Sequence, residues 1–106
     1  MSKYLITGSY TIEGVKGLMR DGGSGRRTAV ETMMSKLGGR LEALYFAFGE
    51  NDVYAVVDVP DNQTATAFAL AVNQSGAVNI RTTVLLTPEE VDEAIRKQVD
   101  YRPPGR

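Results

Sequence analysis

A three-residue turn, Gly49-Glu50-Asn51, joins two segments that have the composition of β-strands. The segments, Arg40–Phe48 and Asp52–Val59, are rich in aromatic and β-branched residues, which favour extended backbone. A connection of this length is typical of an antiparallel hairpin. We therefore expect these two strands to be neighbours in an antiparallel sheet.

Helical patterns lie on both sides of this hairpin. Between the first two strands, Val30, Met33, Met34 and Leu37 follow helical spacing, and Gly38-Gly39 supplies a stop. A second helix is predicted after Pro60, with Asp61 as N-cap and a stop at Gly76. A third is predicted to begin at Thr87-Pro88-Glu89-Glu90, which has a capping Thr, a Pro at N1 and a Glu at N3.

With 106 residues the chain has the length of one domain. Four predicted strands alternate with the helices, and they are Lys3–Tyr10, Arg40–Phe48, Asp52–Val59 and Val78–Thr87. The order β-α-β-β-α-β plus a terminal helix is the ferredoxin-like pattern of the α+β class. Right-handed crossovers predict a four-stranded antiparallel sheet in the order 4-1-3-2, with both principal helices on one face.

The second face of this sheet is also predicted to be apolar. Strict alternation along strand two places Leu44, Phe46 and Phe48 on one side, together with Glu42. Two helices cover only one face, so a partner is needed for the other. A second copy of the chain, in a homodimer or higher homo-oligomer, is the simplest one. The alternative is that the terminal helix folds back across the open face.

Composition excludes several kinds of chemistry. The chain has no Cys and no His, so disulfides, thiolate nucleophiles and imidazole bases or ligands are not available, and no metal or cofactor is expected. A formal net charge of -1 and the lack of an aromatic-basic strand signature argue against nucleic-acid binding. No signal sequence or membrane-spanning segment is visible, which predicts a cytoplasmic protein that does not bind membranes.

The hairpin and its surroundings resemble the GYD domain family. Gly49 and Asp52 match the outer members of the Gly-Tyr-Asp that names the family, although Glu50-Asn51 stands where the family has one Tyr. Gly38-Gly39-Arg40, the Pro60-Asp61 helix entry and Ser75-Gly76-Ala77-Val78 add to the likeness. The resemblance implies a ferredoxin-like subunit at residues 1–99, similar to the dimeric α+β barrels, followed by a Pro-rich tail at 100–106. It implies no activity.

A glycine-rich segment, Asp21-Gly22-Gly23-Ser24-Gly25-Arg26-Arg27, precedes the main part of the first helix. Backbone N–H groups at Gly22 and Gly23, together with the guanidinium groups of Arg26 and Arg27, form a candidate site for an anionic ligand. The alternative is a flexible linker between a short helical segment at Thr11–Met19 and the main helix, since Gly is unfavourable inside helices.

Three carboxylates lie on or beside the central strands. Glu42 and Asp58 are candidate bases, because burial would raise their pKa values. For Glu42 the more common alternative is a salt bridge to Arg40, to Arg81 or to an arginine of a partner subunit. For Asp58 the alternative is a solvated position at the end of the strand, before the Pro-Asp helix entry. Asp52 is expected to close the hairpin turn through its side chain. Tyr10, Tyr45 and Tyr54 either line a pocket with their hydroxyls or pack in the core.

These sequence features are compatible with two functions. One is a binding or sensing module for a small molecule, with a pocket between the sheets of paired subunits. The other is a cofactor-independent enzyme with its pocket in the same place. There Glu42 or Asp58 would act as base, and a Tyr such as Tyr10 or Tyr45, or an Arg, would polarise the substrate.

Overall fold

The computed structural model describes residues 1–106 and contains four strands and three helices. In chain order the elements are β1 (Ser2–Tyr10), α1 (Ile12–Lys36), β2 (Arg40–Phe46), β3 (Val53–Val59), α2 (Asn62–Gln74), β4 (Val78–Leu85) and α3 (Pro88–Arg96). The strands form one antiparallel sheet in the order β2-β3-β1-β4. This is the predicted order read from the other edge, and the predicted βαββαβ pattern with a terminal helix is confirmed.

The hydrophobic core lies between one sheet face and the two long helices. Tyr4 and Ile6 of β1 and alternate residues of β3 point into it, and Met34 of α1 and Phe68 of α2 meet them from the helix side. Met34 is completely buried. We call this the helix face of the sheet and the opposite side the open face. None of the helices has the length and apolarity needed to cross a membrane.

A β-bulge at Glu42 changes the predicted faces of β2. Leu41 pairs with Val57 and Ala43 with Val56, so the register shifts between them and Glu42 is the extra residue. Leu44 therefore lies opposite Ala55, on the helix face. The prediction that Leu44 and Phe46 share the open face with Glu42 is wrong, because simple alternation ends at the bulge.

The first helix is interrupted at Gly22, whose φ of 76° and ψ of 163° are not helical. Residues 12–21 and 23–36 are helical, and we call them the first and second halves of α1. The predicted break is therefore confirmed, but its predicted length is wrong. A single residue makes the bend, while Gly23 and Gly25 lie within the second half.

The third helix has the predicted capping box, in which Thr87 and Glu90 exchange side-chain and backbone hydrogen bonds. Every residue of α3 is exposed, so it does not fold back across the sheet. The fold-back alternative is therefore contradicted. The chain is 57 Å long but only 33 Å by 22 Å across, consistent with an unpacked C-terminal segment.

Candidate functional site

A cleft of about 390 Å³ lies between both halves of α1, the end of α2 and the start of β4. A smaller cavity of about 60 Å³ lies deeper, between the second half of α1 and the sheet, and 12 of its 13 lining residues are apolar. We call the two together the α1 cleft. Five residues border both parts, and they are Tyr10, Arg26, Met33, Val72 and Val78. A polar entrance thus leads to an apolar recess.

The first half of α1 is held in place by its contact with the start of β4. A Cβ atom on Gly14 would overlap the carbonyl oxygen of Ala77, so only glycine allows this close approach. Thr11, the N-cap, accepts a hydrogen bond from the Gly14 N–H and donates its hydroxyl to the Gly76 carbonyl at 2.8 Å. The bend at Gly22 separates this anchored half from the half that packs on the sheet. The α1 cleft lies at this bend, where the axes of the two halves of α1 diverge.

Tyr10 projects into the cleft from the last position of β1. Its backbone N–H donates to the Asp52 carboxylate at 2.8 Å, and the Asp52 N–H donates to the Gly8 carbonyl at 2.7 Å. The prediction that the Asp52 side chain closes the hairpin turn is wrong. The carboxylate instead joins the hairpin to the end of β1, and so positions Tyr10.

Burial raises the pKa of the Tyr10 phenol above its ordinary value, and the positive charge of Arg26 opposes part of that shift. Tyr10 is therefore a neutral phenol at physiological pH, able to donate a hydrogen bond. The only ion pair of Arg26 is with Asp21, at 3.6 Å, between two partly exposed side chains. A pair of this length and exposure is weak, which leaves Arg26 free to bind an anion.

The structure separates the two predicted anion-binding arginines. Arg26 borders the α1 cleft, whereas Arg27 borders a shallow surface depression near β2 together with Gly23 and Tyr45. Gly22 forms the bend of α1 and lies in neither lining. Adjacent helix residues point about 100° apart, which explains the separation. The four residues therefore do not form one site.

Glu42 and Asp58 lie on the open face in a cluster of four charges. The Lys3 Nζ is 2.6 Å from Glu42 Oε1 and 3.2 Å from Asp58 Oδ1. Arg40 bridges the same two carboxylates, at 3.1 Å to Glu42 and 3.2 Å to Asp58. The predicted pairing of Glu42 with Arg40 is confirmed, while Arg81 makes no ion pair with either carboxylate. The sequence patterns did not predict Lys3 as a partner, although the antiparallel register places it directly opposite Asp58.

This cluster does not have the properties of a general base. Burial acts to raise the pKa of Asp58, but hydrogen bonds and charge from Lys3 and Arg40 outweigh it, and the pKa lies below its ordinary value. The hydrogen bond to Glu42, followed by that to Asp58, raises the pKa of Lys3. Asp58 and Lys3 are thus held in their charged forms, as in a structural ion pair.

The three candidate tyrosines do not share a pocket. Tyr45 and Tyr54 are direct cross-strand partners on the open face, with exposures of 72% and 38%. Tyr10 lies on the other side of the sheet, in the α1 cleft. The structure contains no group of three or more acidic side chains arranged to hold a metal ion.

The family model of the GYD domain matches residues 4–95. The chain belongs to the GYD domain family. The match includes β2, β3 and β4, most of β1, the hairpin with Gly49 and Asp52, and nearly all of α3. In this GYD domain the acidic residue of the hairpin has a visible structural role, because Asp52 holds the backbone of Tyr10. The searches of curated proteins and of solved structures found no match.

Proposed function

We propose that this GYD domain binds a small organic molecule in the α1 cleft, as a binding or sensing module. The proposal rests on the positions of Tyr10 and Arg26, because these two side chains line both the entrance and the apolar recess. A cavity of about 390 Å³ falls within the range of natural small-molecule sites. Such sites combine an apolar wall with a few polar groups that orient the ligand.

The lining indicates a ligand with an apolar body and an anionic end. The recess is bordered by Ile6, Val30 and Phe68, which favour hydrocarbon over polar groups. At the entrance, Arg26 supplies a guanidinium and Tyr10 a neutral hydroxyl, which together suit a carboxylate or a similar oxyanion. The ligand would displace the weak contact of Arg26 with Asp21, at little cost.

Binding is better supported than catalysis. The pKa of the Tyr10 phenol is raised further above neutral pH, which is unfavourable for a group that transfers protons. Glu42 and Asp58, the predicted bases, lie on the open face in ion pairs. The proposed site also lies within one chain, whereas the sequence suggested a pocket between two sheets.

Titration with octanoate and with octanol, followed by calorimetry and by amide NMR shifts, tests this proposal. We expect octanoate to bind more tightly than the neutral octanol and to shift the amides of Tyr10, Arg26 and Val72. Arg26→Gln should weaken octanoate binding about tenfold, as expected for loss of one charge-assisted hydrogen bond.

The adjacent Arg27→Gln is the matched control, because it removes the same charge one residue away and outside the cleft. It should leave octanoate binding unchanged. Equal losses in the two variants would show a general charge effect and contradict the proposed site, as would the absence of any octanoate binding at millimolar concentration.

A further inference from the structure

The entrance of the α1 cleft carries charges of both signs in equal number. Glu13 and Asp21 supply two carboxylates, and Arg20 and Arg26 supply two guanidinium groups. All four belong to α1, and only Arg26 follows the bend at Gly22. The formal charge of the entrance is therefore zero, whereas clefts that attract simple anions are lined by an excess of positive charge.

The ion pair between Asp21 and Arg26 bridges the bend of α1. Its separation of 3.6 Å is longer than the roughly 2.8 Å of a strong charge-assisted hydrogen bond. The Asp21 Cβ atom lies 3.4 Å from the position of a Cβ atom built on Gly25, so this side chain lies beside the first turn of the second half. The side chains of Asp21 and Arg26 are 51% and 34% exposed. A ligand in the entrance can therefore reach both charged groups.

A ligand with a carboxylate alone leaves one charge of this pair unmatched. When the ligand binds Arg26, the Asp21 carboxylate loses its cation and lies near a second carboxylate, and like charges repel at short range. Arg20 does not replace the lost cation, because adjacent residues of a helix do not face each other. Glu13 already has a cation, Lys16, at 3.6 Å. A ligand that also brings a positive charge avoids the repulsion at Asp21.

We propose that the ligand of the α1 cleft is a zwitterion, an apolar α-amino acid whose ammonium group pairs with Asp21 while its carboxylate pairs with Arg26. The inference rests on the proposed function, because it concerns the ligand of the same cleft. The neutral phenol of Tyr10 donates a hydrogen bond to the carboxylate. The hydrocarbon side chain enters the recess beside Val30 and Phe68. The ligand inserts between the two members of the ion pair, and every charge keeps an opposite charge.

Three ligands with the same branched hydrocarbon body test the need for both charges. Leucine has both groups, 4-methylpentanoate lacks the ammonium group, and 3-methylbutylamine lacks the carboxylate. We expect calorimetry at pH 7 to give leucine a dissociation constant about fivefold or more below those of the other two, because only leucine matches both charged groups of the pair. Glycine has the charged groups without the hydrocarbon body, and it should bind at least about tenfold more weakly than leucine.

Asp21→Asn tests the contact with the ammonium group. The variant should raise the dissociation constant of leucine about fivefold. The dissociation constant of 4-methylpentanoate should stay the same or fall, because the repulsion by the Asp21 carboxylate is gone. Glu31→Gln is the matched control, since it removes a carboxylate from an exposed position of the second half of α1 that borders neither part of the cleft. It should change neither dissociation constant.

The outcomes separate this inference from the proposed function. Equal affinities of leucine and 4-methylpentanoate for the parent, or equal losses of both in Asp21→Asn, would overturn the zwitterionic ligand. So would octanoate binding without leucine binding, and in each of these cases the binding of octanoate would still support the proposed site. If neither octanoate nor leucine bound at millimolar concentration, the proposed function and this inference would both be wrong.

Discussion

Asp52 and Tyr10 are joined by a hydrogen bond of 2.8 Å, from the backbone N–H of Tyr10 to the Oδ2 atom of Asp52. The bond connects the β2–β3 hairpin with the final residue of β1. Since the Tyr10 side chain borders both parts of the α1 cleft, a hairpin residue some 40 positions away in the chain orients a residue of the candidate site.

Asp52→Ala should lower the free energy of unfolding by about 1–2 kcal/mol, because it removes a charged acceptor and leaves the Tyr10 N–H without its partner. It should also weaken octanoate binding. Urea denaturation and calorimetry measure the two effects. Glu50→Ala, a neighbour in the hairpin whose side chain makes no hydrogen bond to Tyr10, should change neither; a similar loss in both variants would show that any hairpin change suffices.

Gly14→Ala should destabilise the protein by about 2 kcal/mol or more, because the new methyl group would overlap the Ala77 carbonyl. Gly17→Ala is the matched control on the same half of α1. Its Cβ atom would have only the end of the Arg20 side chain nearby, at 3.9 Å, so we expect a gain of about 0.5–1 kcal/mol from helix propensity. Thermal unfolding of the two variants should therefore shift in opposite directions.

Gly22→Ala should lower the free energy of unfolding by about 1–3 kcal/mol, because it strains the backbone at this position. No atom lies within 4 Å of the added Cβ, so the cost comes only from the backbone, which has a positive φ that side chains disfavour. Gly25→Ala, at a helical position where the nearest atom is 3.4 Å away, should be neutral or stabilising. If Gly22→Ala is as stable as the parent, α1 is able to straighten, and the cleft is not fixed by this bend.

The ion pairs of Asp58 should make stability depend on pH in the acid range. Its pKa is lower in the folded chain than the ordinary value of 3.8, so folding favours the ionised form. The stabilisation is present above about pH 4 and is lost as the pH falls through the lowered value. Asp58→Asn should lower the free energy of unfolding by about 1 kcal/mol at pH 7. The effect is modest because Lys3 and Arg40 are partly exposed.

The difference between Asp58→Asn and the parent should then shrink below pH 4, which urea denaturation at a series of pH values will show. Glu13→Gln removes a carboxylate from an exposed pair with Lys16 and should leave the pH profile as it is. A constant difference between Asp58→Asn and the parent at all pH values would contradict the lowered pKa.

Local patterns in the sequence were sufficient to predict the elements and their order. Strand composition, the three-residue turn and the capping residues act over a few neighbouring positions, so the β2–β3 hairpin and the capping box of α3 could be predicted directly. Handedness then restricted the sheet to the observed order. The weakness of glycine in helices likewise predicted a break near Gly22.

The candidate site depended on contacts that local patterns do not contain. The bulge at Glu42 turned Leu44 to the helix face, because one extra residue reverses the alternation that follows it. The antiparallel register of β1 and β3 places Lys3 opposite Asp58. The Asp58 carboxylate, a candidate base, therefore forms an ion pair instead. The cleft exists because Gly14 fits closely against Ala77 while Gly22 redirects the helix, and these are packing relations between distant segments. The sequence alone determined which elements form, whereas only the tertiary structure decided which side chains meet.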